Sequence, residues 1–492
     1  MRHLYINGNW TASQSSQAGR TIINPANGTT ILTVTEADET DVDHAVAAAK
    51  AAFANPAWRN TTAAERADIL RAIAEELIKD KDNFALTESR DSGKTLNEGH
   101  IDIDDVVACF RYFADIAAHH AGRVVDTGNP NAISRVVYEP VGVCSLIAPW
   151  NYPLMQMAWK IAPALAAGCT AVIKPSEVTP LTTIAFMEIV HRLELPPGVL
   201  NLVLGAGATV GNRMVENPDV DLVSFTGGLA TGKRIMATAA ADVKKVALEL
   251  GGKNPNVVFA DADFDTAVDQ AMNAGFTHSG QVCSAGVRLI VEESIRDEFV
   301  AELKRRTEQI RVGKGLDENS ETGPLVSAEH RDKVESYMAI GREEGATLVT
   351  GGTRPDDPDL ENGFFFLPTI FDHCTSEMRI VQEEIFGPVI TVETFRDEAE
   401  AIAIANDTQY GLAGGVFTSD ASRAQRVAGG LRHGTVWIND YHPYLPQAEW
   451  GGFGRSGVGR ELGPSGLDEY RESKHIYQNI APEPVRWFAG TD

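Results

Sequence analysis

Between residues 143 and 250 the chain alternates short β-rich runs with helical ones. Strands are predicted over 143–148, 170–174, 200–204, 220–225 and 245–250, with helices over 154–167, 181–193 and 231–240. Strands separated by helices do not pair as hairpins, so this spacing predicts βαβ units and a parallel, doubly wound sheet. Each strand run ends at Gly, Pro or Thr, where the chain turns. A second alternating series follows residue 255, with strands over 256–259, 289–292, 346–349, 389–394 and 435–438 and helices over 264–277, 294–310 and 398–406. A second α/β domain is therefore predicted, with the boundary near Gly251-Gly252. Upstream, Asn7-Gly8 beside Trp10 carries a hairpin signal. A helix is expected over 43–54, and Thr62-x-x-Glu65 reads as a capping box opening another that runs to about Lys79.

The chain has 492 residues, 43% of them hydrophobic, too many for one compact core and enough for two or three. Its formal charge of −25 argues against nucleic acid or an anionic membrane as partner, since both would repel it. No apolar run approaches the ~18 residues of a membrane span, and the start lacks the basic and apolar regions of a signal peptide. Cys109, Cys144, Cys169, Cys283 and Cys374 are sparse, with no C-x-x-C pair. Neither a disulfide framework nor a zinc site follows, and a reducing cytoplasm is expected.

Two glycine-rich stretches follow predicted strands: Leu204-Gly205-Ala206-Gly207 running on to Gly211, and Phe225-Thr226-Gly227-Gly228 running on to Gly232. Backbone N–H groups there suit a phosphate at a helix N-terminus, although neither stretch fits G-x-G-x-x-G, and an ordinary tight turn explains them equally well. Cys283 stands in a polar, small-residue stretch, Ser279 to Gly286, which suits an accessible thiol. A cysteine is more often a small buried hydrophobe, and that reading covers Cys109, Cys144 and Cys169. A thiolate that forms a thioester needs a base, and Glu249 is the leading candidate. It ends an apolar strand at the carboxyl edge of the predicted sheet, where an unpaired acid is costly. Asn151, in Pro149-Trp150-Asn151-Tyr152-Pro153, offers an amide to an oxyanion or serves as simple turn chemistry.

The motifs PWNYP, KPSE, FTGG, LELGGKNP, GQVCSAG, EEIFGPV and WGGFGRSGVGRE occur in order along the chain. In this set and spacing the chain resembles the NAD(P)-dependent aldehyde dehydrogenase superfamily over essentially its whole length. The resemblance implies an α/β fold of three parts. A Rossmann-like NAD-binding domain would take 1–121 and 141–251, an α/β catalytic domain 252–452, and a bridging element 122–140 with 467–492, in a homodimer or homotetramer. It implies oxidation of a small-molecule aldehyde with Cys283 as nucleophile, Glu249 as general base and Asn151 as oxyanion amide, while Lys160 and Glu461 resemble a buried proton-relay pair. It implies NAD held by Ile147, Pro149, Trp150, Lys174, Glu177, Gly207, Phe225, Gly227, Gly228, Leu250, Gly251, Glu384 and Phe386. Glu177 resembles the acid that binds the ribose hydroxyls, and its carboxylate would repel a 2′-phosphate, so NAD is expected over NADP. Gly228 departs from the serine usual in the family. Potassium or sodium bound at Ile23, Val178 and Asp91 is a further implication.

Within the superfamily, Tyr152, Trp159 and Trp450 resemble the aromatic box of betaine aldehyde dehydrogenases, in which aromatic faces hold a quaternary ammonium. His442 and Tyr444 lie in a stretch similar to the bacterial members, and Thr277 replaces a tryptophan often found six residues before the nucleophile. Ordinary core aromatics remain the alternative for each ring. Aminoaldehyde dehydrogenases, acting on 4-aminobutyraldehyde-type substrates, share most of this box. Two other classes remain as rivals: a thiol acyltransferase or amidase using Cys283 and Glu249, and a catalytically silent structural relative.

Overall fold

The computed structural model describes residues 4–13, 19–119 and 122–488, and their strands form four sheets. The first sheet has at its centre five parallel strands, in spatial order Lys245–Glu249, Leu222–Thr226, Val143–Ile147, Thr170–Lys174 and Leu200–Leu202. The strands Val143–Ile147, Thr170–Lys174 and Leu222–Thr226 are buried at every position, as the covering of both faces by helices requires. Antiparallel edges are added by Gly457–Val458 on one side and by the hairpin Leu4–Ile6/Asn9–Thr11 on the other. The hairpin turns through Asn7 and Gly8 at φ 51° and 80°, the left-handed pair a two-residue turn of this kind needs.

Chain order fixes where this sheet can bind. From Val143–Ile147 the chain winds outward through Thr170–Lys174 to Leu200–Leu202, then returns to the opposite side of Val143–Ile147 with Leu222–Thr226. Loops leaving the carboxyl ends of those two neighbours diverge, and a crevice opens between them, the place where doubly wound sheets take their ligands. The second sheet, in order Thr347–Thr350, Thr369–Asp372, Val389–Phe395, Arg288–Glu292, Pro255–Val258, Ala413–Phe417 and Thr435–Ile438, reverses in the same way between Pro255–Val258 and Ala413–Phe417. There the crevice is laced shut. The Asp261 carboxylate accepts hydrogen bonds from Thr418 Oγ1 at 2.8 Å, the Asp420 N–H at 3.2 Å and Arg423 Nη1 at 2.9 Å.

Arg123–Val125, Ala132–Pro140 and Arg471–Asn479 form a largely exposed antiparallel sheet, and Arg20–Ile23 pairs with Thr30–Val34. Residues 1–3, 120–121 and 489–492, which the expected domain boundaries include, lie outside the described residues. Among the described residues no helix is long and apolar enough to cross a membrane.

The helix expected over 294–310 is a short turn, Glu293–Ile295, followed by Arg296–Thr307. Helices Lys81–Ser92, Leu96–Ala117 and Ala328–Glu343 add to those expected. Leu96–Ala117 begins with a capping box in which Thr95 accepts from the Glu98 N–H and the Glu98 side chain accepts from the Thr95 N–H. Thr62 and Glu65 form the expected box at Ala63–Lys79.

A buried ion pair braces the second sheet. Arg288, fully buried, donates to both oxygens of Glu393 at 2.9 and 3.1 Å and to the carbonyls of Ile404 and Asp407. It thus holds the end of helix Glu398–Asn406 against the sheet. Arg288→Met strands the Glu393 charge and should destabilise the fold by about 3–5 kcal/mol in denaturant titration. Glu398→Ala, which breaks the exposed pair with Arg426, should cost less than about 1 kcal/mol.

Candidate active site

The crevice of the first sheet carries a cavity of about 220 Å³ lined by Pro149, Trp150, Asn151, Gly227, Gly228, Glu249, Leu250, Gly251, Cys283, Glu384 and Phe386, with Thr226, Gln156, His330 and Lys333. Residues distributed over more than two hundred positions of sequence therefore face one space. Strand ends place most of them: Val143–Ile147 runs into Pro149-Trp150-Asn151, Leu222–Thr226 into Gly227-Gly228, and Lys245–Glu249 terminates at Glu249 itself.

Cys283 reaches the cavity on a loop under backbone constraint that leads into strand Arg288–Glu292 of the second sheet. His278, Ser279 and Gly280 have φ of 50°, 53° and 67°, three successive residues in the left-handed region, which two non-glycine residues enter only at a cost. A Cβ on Gly280 would lie 2.2 Å from the Gly387 carbonyl oxygen. Beyond this turn Asn254 Nδ2 donates to the carbonyls of Cys283 and Ala285 at 2.9 and 3.0 Å, fixing the loop on both sides of Ser284. Burial, reinforced by the Glu384 and Glu249 carboxylates, pushes the Cys283 thiol up to about 12.

Glu249 is buried, with one carboxylate oxygen that has no hydrogen-bond partner. Burial and the neighbouring Glu461 raise its pKa well above the ordinary carboxylate range. Glu461 forms a buried ion pair with Lys160, and Lys160 also donates to Thr226 Oγ1 at 2.7 Å. The Gly-rich C-terminal segment supplies Glu461 through a two-way backbone pairing with Trp450, each N–H donating to the other's carbonyl at 2.7 Å. Asn151 is buried and its side-chain amide donates to the Gln281 carbonyl at 2.9 Å, two residues before Cys283. Its second amide hydrogen remains available. A thiol, an acid able to take a proton and an amide donor around one space are the equipment of covalent carbonyl chemistry.

Elsewhere along the crevice, Gly252 N–H donates to Glu384 Oε1 at 3.0 Å, and a Cβ on Gly251 would strike the Glu384 carboxylate. Phe386, at φ 63°, and Trp150 meet edge to face at 5.2 Å between centroids. His330 packs against Trp150 at 5.0 Å and hydrogen-bonds the Phe386 carbonyl through Nε2 at 2.7 Å. At Gly228, just before helix Leu229–Ala239, a side chain would meet nothing within 4 Å. Ile147 and Phe225 lie in the strands behind. Lys174 Nζ stands 3.4 Å from Glu177 Oε2, and the Gly207 N–H donates to Glu177 Oε1 at 3.4 Å. Burial works against the Glu177 charge, yet Lys174 and the backbone N–H groups hold its pKa below the ordinary value.

A second cavity, of about 330 Å³, flanks Tyr152 and is lined also by His442, Tyr444, Thr277, Lys94, Glu98, Asp102 and Asp105. Trp159 and Trp450 join these rings from behind, each in contact with Tyr444 (6.1 and 5.1 Å) and with the other at 6.0 Å. Trp437 completes the cluster at 6.3 Å from Trp450. Sequence reasoning missed Trp437, His330, Lys94 and Asn254. Only Asn254 carried a signal, its place in the LGGKNP stretch beside Glu249. Ile23, Asp91 and Val178 lie outside both cavities. Among the described residues no group of three or more His, Cys, Asp or Glu could hold a metal ion.

Residues 10–476 match the aldehyde dehydrogenase family. The chain is 56% identical over 485 residues to betaine aldehyde dehydrogenase of Bacillus subtilis (strain 168), with 99% of each covered. It is 45% identical over 493 residues to peroxisomal aminoaldehyde dehydrogenase 2 of Pisum sativum, covering 99% of this chain and 97% of that one. The crystal structure of betaine aldehyde dehydrogenase from Staphylococcus aureus in complex with NAD+ is similar at a TM-score of 0.98 and 52% identity, covering 99% of this chain and 97% of that one.

With its thiol raised to about 12, Cys283 should react slowly with iodoacetamide at neutral pH in the unliganded protein. The rate should climb with pH and show no plateau below about pH 10. A plateau near pH 8 would mean that the thiolate is already stabilised at rest.

Proposed function

The chain belongs to the aldehyde dehydrogenase family, and we propose that it oxidises betaine aldehyde to glycine betaine with NAD. The observation that carries this reading is the meeting of Cys283, Glu249 and Asn151 on one cavity beside an aromatic cluster. Cys283 gives up its thiol proton to water and its Sγ bonds to the aldehyde carbon, while the carbon–oxygen π pair moves onto the oxygen, to which the free amide hydrogen of Asn151 donates. NAD, when bound, accepts the hydride that leaves this carbon. The acyl group then remains on Cys283 as a thioester. Glu249 removes a proton from water, the new C–O bond forms and the C–S bond breaks, returning sulfur to Cys283 and releasing the carboxylate. A base with a raised pKa takes that proton near neutral pH, and the Lys160–Glu461 pair offers it an onward route.

The crevice fits a dinucleotide. Open space at Gly228 admits a pyrophosphate to the start of helix Leu229–Ala239, and Glu177, held ionised, would accept ribose hydroxyls and repel a 2′-phosphate. Glu384 and Phe386 would hold the nicotinamide end, with Trp150 and Gly251 as its walls. A nucleotide-free acyltransferase leaves these features unused. A potassium or sodium ion would draw on Asp91, whose Oδ1 is buried with no hydrogen-bond partner among the described residues and whose Oδ2 accepts from Leu181 N–H, with the carbonyls of Ile23 and Val178 as its further ligands. The exposed three-stranded sheet, with Val124 81% and Tyr477 54% exposed, is the surface for a homodimer or homotetramer. Five free cysteines suit a reducing cytoplasm.

A second reading, oxidation of an aminoaldehyde, draws on Glu98 and Asp105, which line the cavity beside Tyr152. A primary ammonium has N–H donors for those carboxylates, and a trimethylammonium has none. Rates on betaine aldehyde and 4-aminobutyraldehyde decide between them.

Cys283→Ala should abolish oxidation and leave NAD binding intact, whereas Glu249→Gln should give a burst of reduced nicotinamide followed by slow turnover. Near-normal oxidation by Cys283→Ala would sink the nucleophile assignment. Trp450→Ala should lower kcat/KM for betaine aldehyde by about two- to thirty-fold. It should leave 3,3-dimethylbutanal, a neutral aldehyde of the same shape, much less affected. Equal losses would make the rings structural.

A further inference from the structure

Lys94 lies between helices Lys81–Ser92 and Leu96–Ala117, with no exposed surface. Its ammonium forms an ion pair with Asp102 and lies 3.7 Å from Glu88 Oε1. Both Glu88 oxygens are buried without a hydrogen-bond partner, so the cation is their nearest compensation. Burial works against the ammonium, yet Asp102 and Glu88 hold its pKa above the ordinary value. A buried charge of this kind is costly unless every contact is used.

Two of those contacts belong to the site. Lys94 Nζ donates to the Asn151 carbonyl at 3.1 Å, and it sits 4.4 Å from the centroid of the Tyr152 ring. Asn151 is thereby fixed at two points, its main chain by Lys94 and its side chain by the Gln281 carbonyl. An aromatic face that already holds one cation attracts a second less strongly, because the two positive charges repel. Asp102 is compensated by Lys94, whereas Glu98 and Asp105 face the cavity without that ion pair.

We propose that Lys94 is a positioning and specificity-determining residue. Through the main chain it aims the Asn151 amide, and from one face of the Tyr152 ring it weakens that ring's hold on a cationic substrate. The first half rests on the oxyanion role of Asn151 given above, and the second half does not.

The test compares Lys94→Met, Asn151→Ala and the double variant on betaine aldehyde and 3,3-dimethylbutanal, with NAD binding checked for each. Lys94→Met should lower kcat on both aldehydes by at least about tenfold, the scale of a misplaced catalytic group. It should also lower KM for betaine aldehyde relative to the neutral aldehyde by at least about threefold. That shift should survive addition of Asp102→Asn together with Glu88→Gln, which remove the two carboxylates left behind. The double variant should be no slower than Asn151→Ala alone. Multiplied losses would show that Lys94 does not act through Asn151 and would overturn the first half. Near-normal kcat in Asn151→Ala would overturn the oxyanion reading and the first half with it, and the KM ratio would still decide the second. An unchanged ratio overturns that second half. If Lys94→Met does not bind NAD, Lys94→Gln replaces it: its amide can keep the carbonyl bond, so kcat should hold while the KM ratio shifts. Loss of kcat without that shift overturns the proposal.

Discussion

Reversal of strand order around Val143–Ile147 is the constraint on which the site depends. It separates the loops after Ile147 and Thr226 and leaves the carboxyl end of Lys245–Glu249 beside the opening, so that Asn151, Gly228 and Glu249 arrive at one space as a matter of topology. The segments around the second sheet bring Glu384, Phe386 and Cys283 across to it. Three left-handed residues and the two hydrogen bonds of Asn254 place Cys283 without relying on helix or strand.

Charge is handled in the site by confinement. Glu249, Glu384 and Cys283 share a region where burial raises all three pKa values, so each holds a proton more readily there than in water. Two of the buried lysines are each matched to an acid, Lys160 to Glu461 and Lys94 to Asp102. An apolar replacement on one side of either pair would leave its partner stranded, so both the architecture and the chemistry depend on keeping them whole.

Much of this was legible in the sequence because the informative residues sit at strand ends. Alternation of β-rich and helical runs gave away the parallel sheet, and Glu249 in an apolar strand was visible as a charge out of place. Asn151 and Cys283 were readable as polar breaks after apolar segments, though resemblance was needed to choose between their alternatives. Lys94, His330 and Trp437 were not legible. They reach the site from a helix junction, a helix start and a strand of the second domain, by contacts that no local period encodes. The pairing of Arg471–Asn479 with Ala132–Pro140 is equally silent, since antiparallel register between distant segments leaves no mark in either one.

The two strand-order reversals are tied differently, and Asp261 is the reason for the tighter one. By lacing Thr418, Asp420 and Arg423 across the second sheet's reversal, it turns a potential mouth into a seam. The second sheet is cross-braced there, and again by Arg288 and Glu393 on the next strands. At the first sheet's reversal the tie is a single one, Lys160 to Thr226 Oγ1, and the opening itself is bordered by glycines at 227, 228 and 251. A rim without side chains lets a long ligand come up against main-chain N–H groups directly, while the sulfur faces it from the cross-braced side.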